Sequence, residues 1–508
     1  MTTQKHIFVA MLGLIAQIVT VTIGFLLTPL LLRQLGVDQF GIWATLNVII
    51  AYESLSDLGI TTAIVMFVNQ SSDDDERLRL INTGILINTG LTLCFILVLV
   101  WQQEWLLGQL FKVPYELLPL ANQAFDLTLF TLLVMVIART LAAALDALQY
   151  VDLRYLIDIV GMFVWGLTLW IVIDDEASVV GVATVSLGVG FLRVVMMAIG
   201  LYLIYPAWRF RFGISRQKIR PIIRYSLNSQ GASLGQSISE PLLRSFIGAG
   251  LGSASVGTVQ ISSSLAAIPN SLAQSMVAAL FPAIARLHSQ NRHDEIASLA
   301  AQYLRYVIYL IVPPSLMLCL VAHDLVEVWL GQPYPEVVLS IQILVIAFTT
   351  RALTMIPWRI CWGTGYSNHN SVAMALHIIG LFIGSMALLT SNVVSLAGLL
   401  LIYVGSLMMS AIYLFWRTGQ ILPQLLSKHS QELLSTIIRT LAVGSVGLII
   451  FIIIVSLLKL SSLSIIIVSA LITIGIYGGI IGLVLPRTEL NQILAMAQHA
   501  LVSFQGRS

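Results

Sequence analysis

Charged side chains are scarce in this sequence. Asp, Glu, Lys and Arg make up 10% of the 508 residues, whereas a soluble domain carries roughly a quarter. Hydrophobic residues account for 58%, and the mean hydropathy is +0.92. This composition excludes a soluble globular fold and predicts an all-α polytopic membrane protein. The net charge of +2 is too small to indicate a nucleic-acid partner.

Cysteines, long polar loops and nucleotide-binding motifs are scarce as well. Cys94, Cys319 and Cys361 all lie in apolar runs, which favours small buried side chains over metal or disulfide chemistry. No loop is long enough to form a soluble domain. No loop of the G-x-x-x-x-G-K-[ST] type is present to bind ATP. We therefore expect no cofactor and no metal, and a function that is carried out within the bilayer.

Apolar runs recur along the whole chain at the length that crosses a bilayer. At about 20 residues for each span, they predict about fourteen transmembrane helices. The predicted spans lie near 7–32, 40–68, 80–101, 119–145, 155–173, 178–205, 225–250, 255–285, 300–322, 337–361, 370–390, 393–416, 435–458 and 462–485.

One basic interval orients the chain in the membrane. Residues 206–224 contain Arg209, Arg211, Arg216, Lys218, Arg220 and Arg224, with no acidic residue among them. The positive-inside rule places this interval in the cytoplasm. An even number of spans then predicts that both termini are cytoplasmic.

A short repeat flanks the basic interval. PLLLRQLGVDQFGIW at 29–43 and PLLRSFIGAGLGSASVG at 241–257 each combine a proline, leucines, an arginine and a glycine turn before the next helix. Transporters are often built from such repeats. The predicted domains are an N-lobe at 1–205, a linker at 206–224, a C-lobe at 225–420, two further helices at 430–486 and a cytoplasmic tail at 487–508.

Charges within the predicted spans of the first half are the most informative residues, because burying them in lipid is costly. Glu53 and Asp57 lie one helical turn apart in the second span, and two close carboxylates suit a proton carrier. Alternatively, Asp57 caps a helix break at which Gly59 relaxes the backbone. Asp126 in the fourth span is a further candidate for ion coupling. Arg139 in the same span either faces a cavity or snorkels to the inner surface.

Arginines also lie within the membrane in both halves. Arg193 is near the midpoint of the sixth span, where snorkelling is a long reach, and Arg351 lies within the tenth. Glu240 and Arg244 form an i,i+4 pair beside Pro241, which either neutralises itself or opens when a ligand competes for the arginine. Few buried acids match these arginines. The pattern therefore predicts a cationic cavity, and the forked donors of arginine suit phosphate.

Four segments carry a resemblance to a known family: PLLLRQLGVDQFGIW at 29–43, SLSDLGITTA at 54–63, YSLNSQGAS at 225–233 and LGSASVGTVQISSSL at 251–265. With them the chain resembles the Wzx-type oligosaccharide flippases, in the polysaccharide-transport branch of the multidrug/oligosaccharidyl-lipid/polysaccharide (MOP) exporter superfamily. The resemblance implies two six-helix lobes plus two C-terminal helices around a central cavity. This cavity opens alternately to either side of the bacterial inner membrane.

The resemblance also implies a cargo, which is an oligosaccharide linked to undecaprenyl pyrophosphate. The cargo moves to the periplasmic leaflet, in an ion-coupled step, for O-antigen or capsule assembly. By position, the candidates for binding the pyrophosphate are Arg139, Arg193, Arg244 and Arg351, and those for ion coupling are Glu53, Asp57, Asp126 and Glu240. Besides the lipid bilayer, a polysaccharide polymerase and a chain-length regulator are candidate partners.

Three other functions stay open. A drug or cation antiporter of the same superfamily is expected to have twelve spans and an acid-rich cavity, so the extra helices and the buried arginines count against it. A membrane glycan polymerase or ligase needs a large outer loop, which this chain lacks. The sequence does not clearly distinguish a lipid II flippase from the oligosaccharide flippase that the resemblance implies.

Overall fold

The computed structural model describes residues 3–458, apart from 58, 72, 173–176, 207, 209–230, 278–279 and 392, together with 464–465, 467–469, 471–472 and 475. The predicted linker 206–224, apart from residues 206 and 208, lies outside the described residues. The same holds for most of the last predicted span and for the tail at 487–508.

Every regular element in the described part of the chain is helical. This is the expected result for apolar segments in lipid, because a helix satisfies its backbone hydrogen bonds within one segment. In chain order the helices are α1 (Thr3–Ala51), α2 (Glu53–Asp57), α3 (Ile60–Gln70), α4 (Asp74–Trp101), α5 (Leu118–Ala147), α6 (Val151–Val172), α7 (Val179–Ile204), α8 (Gly231–Leu251), α9 (Ser253–Ala266), α10 (Ile268–Val277), α11 (Leu280–Ser289), α12 (His293–Leu330), α13 (Pro335–Gly363), α14 (Asn368–Leu389), α15 (Leu396–Ile421) and α16 (Pro423–Leu458).

Ten helices among the described residues are long and apolar enough to cross a membrane. The prediction of an all-α polytopic membrane protein is therefore confirmed, while the count of fourteen spans stays a prediction.

The two repeated segments share a backbone geometry. Pro29 lies inside α1, which contains the first predicted span and part of the second, and the two parts meet at Gly36 with φ 71°. Pro241 lies inside α8, and Gly252 with φ 89° joins α8 to α9. Glycine adopts such positive φ angles at little cost, whereas other residues do not. Each repeated segment thus contains a membrane proline followed by a glycine turn with positive φ, although the turn comes seven residues after Pro29 and eleven after Pro241.

The second predicted span is interrupted partway along its length. The long helix α1 ends at Ala51, the single turn of α2 follows, and Gly59 in a left-handed conformation (φ 84°) precedes α3. In the second repeat, α9 ends at Ala266 and α10 begins two residues later. Interrupted helices within a membrane expose backbone polar groups, so they occur where protein or a water-filled cavity surrounds them. The interruption at α2 therefore marks a candidate site.

The repeated segments touch each other at two glycines. A Cβ atom placed on Gly41 would lie 2.5 Å from the carbonyl oxygen of Ser253, and one on Gly257 would lie 3.1 Å from the Cα of Gly41. Both distances involve backbone, which has little freedom to move away. The close approach of the two segments therefore depends on glycine at both positions.

By internal packing the chain divides into two compact units, Met1–Leu265 with Ser371–Ser406 and Ala266–Asn370 with Leu407–Ser508. In the first unit, α5 packs against α3, α4 and α7. In the second unit, α12 packs against α13 and α16. These boundaries differ from those of the predicted lobes, and the division into an N-lobe and a C-lobe stays a prediction.

Substituting Gly41 tests the glycine contact. We expect Gly41→Ala to destabilise the protein by about 1–3 kcal/mol, the typical cost of overpacking a site that cannot expand. Gly24→Ala is the matched control in the same helix, because nothing lies within 4 Å of a Cβ at that position. Thermal unfolding of both variants in detergent measures the difference. Equal midpoints would show that the contact does not constrain the fold.

Candidate functional site

The first unit contains a cavity of about 560 Å³ bounded by α1, α5, α6 and α7. This volume lies in the range of ordinary small-molecule sites. Its polar and aromatic lining residues are Gln17, Thr20, Trp43, Asn47, Thr131, Tyr155, Asp158, Trp165, Ser186 and Arg193. The predicted central cavity enclosed by the two lobes stays a prediction.

Arg193, one of the predicted binding residues, lies in the wall of this cavity. It extends from α7, and its Nη2 atom pairs with Oδ1 of Asp158 on α6. Gly161 makes room for it, because a Cβ there would lie 2.9 Å from Cδ of Arg193. Within the described part of the chain, Nε of Arg193 has no hydrogen-bond partner. Because Nε is buried against α6, the donor that an anionic ligand could take is the one that Asp158 now occupies.

Asp158 is shared between two arginines. Nη1 of Arg154 contacts Oδ2 of Asp158 at 3.2 Å, and Nε of Arg154 donates to Oδ1 of Asp146 at 2.7 Å. Four alternating charges, Asp146, Arg154, Asp158 and Arg193, thus connect α5, α6 and α7. An anion that displaces Asp158 from Arg193 leaves that carboxylate with Arg154, so the exchange does not strand a buried charge.

The expectation that few buried acids match the arginines is wrong for Arg193 and Arg139. Besides the Arg193 pair, Nη2 of Arg139 lies 2.6 Å from Oε2 of Glu53. The predicted i,i+4 pair is present, with Nη2 of Arg244 lying 3.6 Å from Oε2 of Glu240. The sequence gives little signal for Asp158, because this residue lies near the end of its predicted span, where charged side chains are usually interfacial. The binding roles of these arginines stay predictions.

The interrupted second span is held together by its two carboxylates. Glu53 is 2% exposed and pairs with Arg139 of α5, whose side chain is 47% exposed. Asp57 accepts hydrogen bonds from the backbone N of Thr61 at 3.2 Å and from its hydroxyl at 2.8 Å. The alternative in which Asp57 caps a helix break is therefore confirmed. An ion-coupling role for either carboxylate stays a prediction.

Asn88 connects this break to the neighbouring helices. It is completely buried on α4, and its Nδ2 donates to Oδ1 of Asp57 at 3.0 Å and to the hydroxyl of Thr140 at 3.1 Å. The Thr140 hydroxyl donates in turn to the carbonyl of Val136 at 2.9 Å. The Asn88 amide thus connects α2, α4 and α5 by hydrogen bonds. An asparagine within a predicted span was the available signal for this residue.

The remaining candidates lie elsewhere. Arg244 on α8 also donates to Oε1 of Gln260 on α9, so the i,i+4 pair with Glu240 is part of a larger polar group. Asp126 is exposed on α5, 3.5 Å from Nε2 of Gln103, and is not among the described lining residues of the cavity. Arg351 lies on α13 in the second unit and is half-buried.

Sequence reasoning also missed the aromatic part of the cavity. Trp43 appeared only within a repeated segment, and Trp165 and Tyr155 only as members of a span. A tryptophan with an amide one turn later, as in Trp43 and Asn47, was the available signal. Among the described residues, no group of three or more His, Cys, Asp or Glu side chains could hold a metal ion.

Interrupted membrane spans with a polar cavity among them, as in the described part of the chain, are features that membrane transporters share. The chain belongs to the family of polysaccharide biosynthesis proteins, whose family model matches residues 30–339. This confirms the predicted Wzx-type polysaccharide-transport branch. An uncharacterized membrane protein in the cps region of Klebsiella pneumoniae is 23% identical over 353 residues, which cover 66% of this chain and 67% of the relative.

Solved structures show the same fold. The lipid II flippase MurJ, in an inward closed conformation, is similar with a TM-score of 0.71 at 11% identity, over 93% of this chain and 98% of that one. An inward-facing multidrug resistance MATE family transporter of the MOP superfamily gives a TM-score of 0.61 at 14% identity, over 81% of this chain and 99% of that one. At such identities the similarity establishes the transporter fold.

Removing the Asn88 amide tests the polar connection at the break. We expect Asn88→Ala to destabilise the protein by about 1–3 kcal/mol, because it removes one hydrogen bond from the buried Asp57 carboxylate and another from the Thr140 hydroxyl. Thr89→Val is the matched control on the next position of α4, since the Thr89 hydroxyl has no hydrogen-bond partner within the described residues. Thermal unfolding in detergent compares the two. A similar loss in both variants would contradict the assignment.

Proposed function

We propose that the protein is a flippase that moves undecaprenyl-pyrophosphate-linked oligosaccharide units from the cytoplasmic to the periplasmic leaflet. The product would serve O-antigen or capsular polysaccharide assembly. The observation that carries this proposal is the cavity of the first unit, which combines an arginine with aromatic rings and side-chain amides. That combination suits a ligand that is part phosphate and part sugar.

The phosphate end of the cargo fits Arg193. Its guanidinium already holds a carboxylate at the cavity wall, and carboxylate and phosphate oxygens use the same forked donors. Asp158 keeps Arg154 as a partner when a phosphate takes its place. Binding is therefore an exchange of one anion for another at Arg193.

The sugar end fits the aromatic and amide residues. Trp43 and Trp165 line the cavity and supply aromatic surface against which the C–H face of a sugar packs. Tyr155 also lines the cavity, although the Arg154 guanidinium covers one side of its ring, 4.1 Å from the centroid. Gln17 and Asn47 offer both donors and acceptors for hydroxyl groups. The indole N–H of Trp165 donates to the hydroxyl of Ser186 at 3.1 Å, which fixes the orientation of that ring. An antiporter for cationic drugs would not require an arginine in this wall.

Transport is coupled to an ion through the interrupted second span. The buried Glu53 and the half-exposed Arg139 form a pair that a proton on Glu53 would weaken, since a neutral carboxyl attracts a guanidinium less. Asp57, in the same helical turn, keeps the break capped. We place the protein in the bacterial inner membrane with cytoplasmic termini, alongside a polymerase and a chain-length regulator.

Neutralising Arg193 tests cargo binding. We expect Arg193→Gln to reduce translocation about 10- to 100-fold, since a hydrogen bond to a charged group contributes about 1.5–3 kcal/mol. Arg33→Gln, at an exposed arginine of α1, is the control with the same charge change. Surface glycan is measured in cells that lack their own flippase, at matched levels of folded protein. Normal glycan in the Arg193 variant would refute the role of this residue.

Neutralising Glu53 tests the coupling. We expect Glu53→Gln to make translocation into proteoliposomes insensitive to an imposed pH gradient, because glutamine can neither bind nor release a proton. Glu116→Gln, in the exposed turn before α5, is the control and retains the response. If wild type and Glu53→Gln respond alike across a pH series, Glu53 is not the carrier.

A further inference from the structure

A group of aromatic and basic side chains that the proposed function does not use lies in the second unit. The guanidinium carbon of Arg417, near the end of α15, lies 5.0 Å from the centre of the Trp416 ring. The rings of Trp416 and Tyr413 have centroids 6.2 Å apart, and the Tyr413 hydroxyl lies 2.9 Å from Nδ1 of His369 on α14. His369 stacks on Tyr366 at 6.3 Å. These five residues are called the interfacial patch.

The patch is located where two membrane-spanning helices end together. The helix α14 begins at Asn368, and α15 ends at Ile421. Tyrosine and tryptophan are enriched where such helices leave the hydrocarbon for water. The rings of the patch are accessible, since Trp416 is 55% exposed and Tyr366 is 49% exposed. A ligand can therefore reach the patch from the surrounding bilayer without passing through the protein.

Arg417 differs from the paired arginines of the first unit, because no carboxylate contacts it within the described residues. Its guanidinium donates to Oε1 of Gln420 at 2.6 Å, lies over Trp416 and acts electrostatically on His369. The sequence supplies the reason, since no aspartate or glutamate occurs between Glu336 and Glu432. Arg417 is only half-buried. An anion from outside the protein can therefore balance its charge.

An exposed apolar stripe extends from Arg417 along α15. Met408, Ile412 and Trp416 follow one another at four-residue spacing, which places them on one face of the helix. They are all exposed, Ile412 by 71%. At 1.5 Å per residue the stripe covers about 12 Å of helix, which is most of the roughly 15 Å of hydrocarbon in one leaflet. The patch and the stripe together suit a ligand with an anionic head and an acyl chain.

We propose that the interfacial patch binds an anionic phospholipid of the surrounding bilayer, with its phosphate at Arg417 and an acyl chain along the stripe. Phosphate oxygens accept the hydrogen bonds of a guanidinium as a carboxylate would. Tyr413 supplies a second donor. When Nδ1–H of His369 donates to the tyrosine oxygen, the phenol hydrogen is available to the phosphate.

The ligand is a phospholipid and not the polyprenyl cargo. An acyl chain matches the length of the stripe, whereas an undecaprenyl chain is several times longer. The described lining of the cavity in the first unit contains none of the patch residues. The patch is therefore a lipid site in addition to the proposed cargo site, and it does not depend on the proposed function.

The test compares binding of phosphatidylglycerol and of zwitterionic phosphatidylcholine to the full-length protein in a neutral detergent, by native mass spectrometry. We expect the wild type to prefer phosphatidylglycerol. Arg417→Gln should bind it about 10- to 100-fold more weakly, which corresponds to the loss of a hydrogen bond to a charged group. Arg292→Gln is the control with the same charge change and should retain the preference, because Arg292 already pairs with Glu295.

Three results would overturn the proposal. The first is equal affinity of the wild type for the two lipids, and the second is equal affinity of wild type and Arg417→Gln for phosphatidylglycerol. The third is displacement of phosphatidylglycerol by an equal concentration of undecaprenyl pyrophosphate, which would assign the patch to the cargo.

A second variant covers the case in which Arg417→Gln does not fold. Tyr413→Phe keeps the charge of the patch and removes one donor, so it should weaken phosphatidylglycerol binding about 2- to 10-fold. Unchanged affinity in this variant would count against the site. These lipid-binding measurements leave Arg193 untouched, so the inference can fail while the proposed function stands.

Discussion

A polar group inside a bilayer must find its partner within the protein, and the other features of this structure depend on that constraint. Lipid offers no hydrogen bonds, so an interrupted helix or a buried charge persists only where other side chains satisfy it. Asp57 fulfils this requirement for the break in the second span by accepting two hydrogen bonds from Thr61. His377 is satisfied by a serine on each side.

The same constraint turns ligand binding into an exchange of partners. Arg193, Arg139 and Arg244 each face a carboxylate, so the charge of each arginine is largely balanced within the protein. Removing one member of a buried pair is strongly destabilising, whereas replacing it by another anion is not. Under the proposed function, the phosphate of the cargo would therefore compete with a carboxylate for the same donors. Such competition would limit affinity, which suits a transporter because it must also release its cargo.

Much of the fold could be predicted from the sequence, because span length, membrane prolines and glycine turns are local signals. The break at Asp57 and Gly59 was among the predicted alternatives for the same reason. The partners were harder to find, since Asp158 lies 35 residues from Arg193 and Asn88 lies 31 from Asp57. The sequence also does not show which faces of the helices pack against one another, because surfaces that face lipid and surfaces that face the protein core are equally apolar. The mostly buried α5 and the mostly lipid-facing α6 are both simply hydrophobic in sequence. The cavity and its tryptophans could not be recognised for that reason.

The Glu53–Arg139 and Glu240–Arg244 pairs differ in what can separate them. Arg139 is 47% exposed, so water can solvate it when its acid Glu53 becomes neutral, and protonation alone is enough to separate that pair. Arg244 is only 14% exposed, and leaving Glu240 without a replacement anion would strand a buried charge. Under the proposed function, the first pair would therefore open on protonation, whereas the second would open only when an anion takes the place of Glu240.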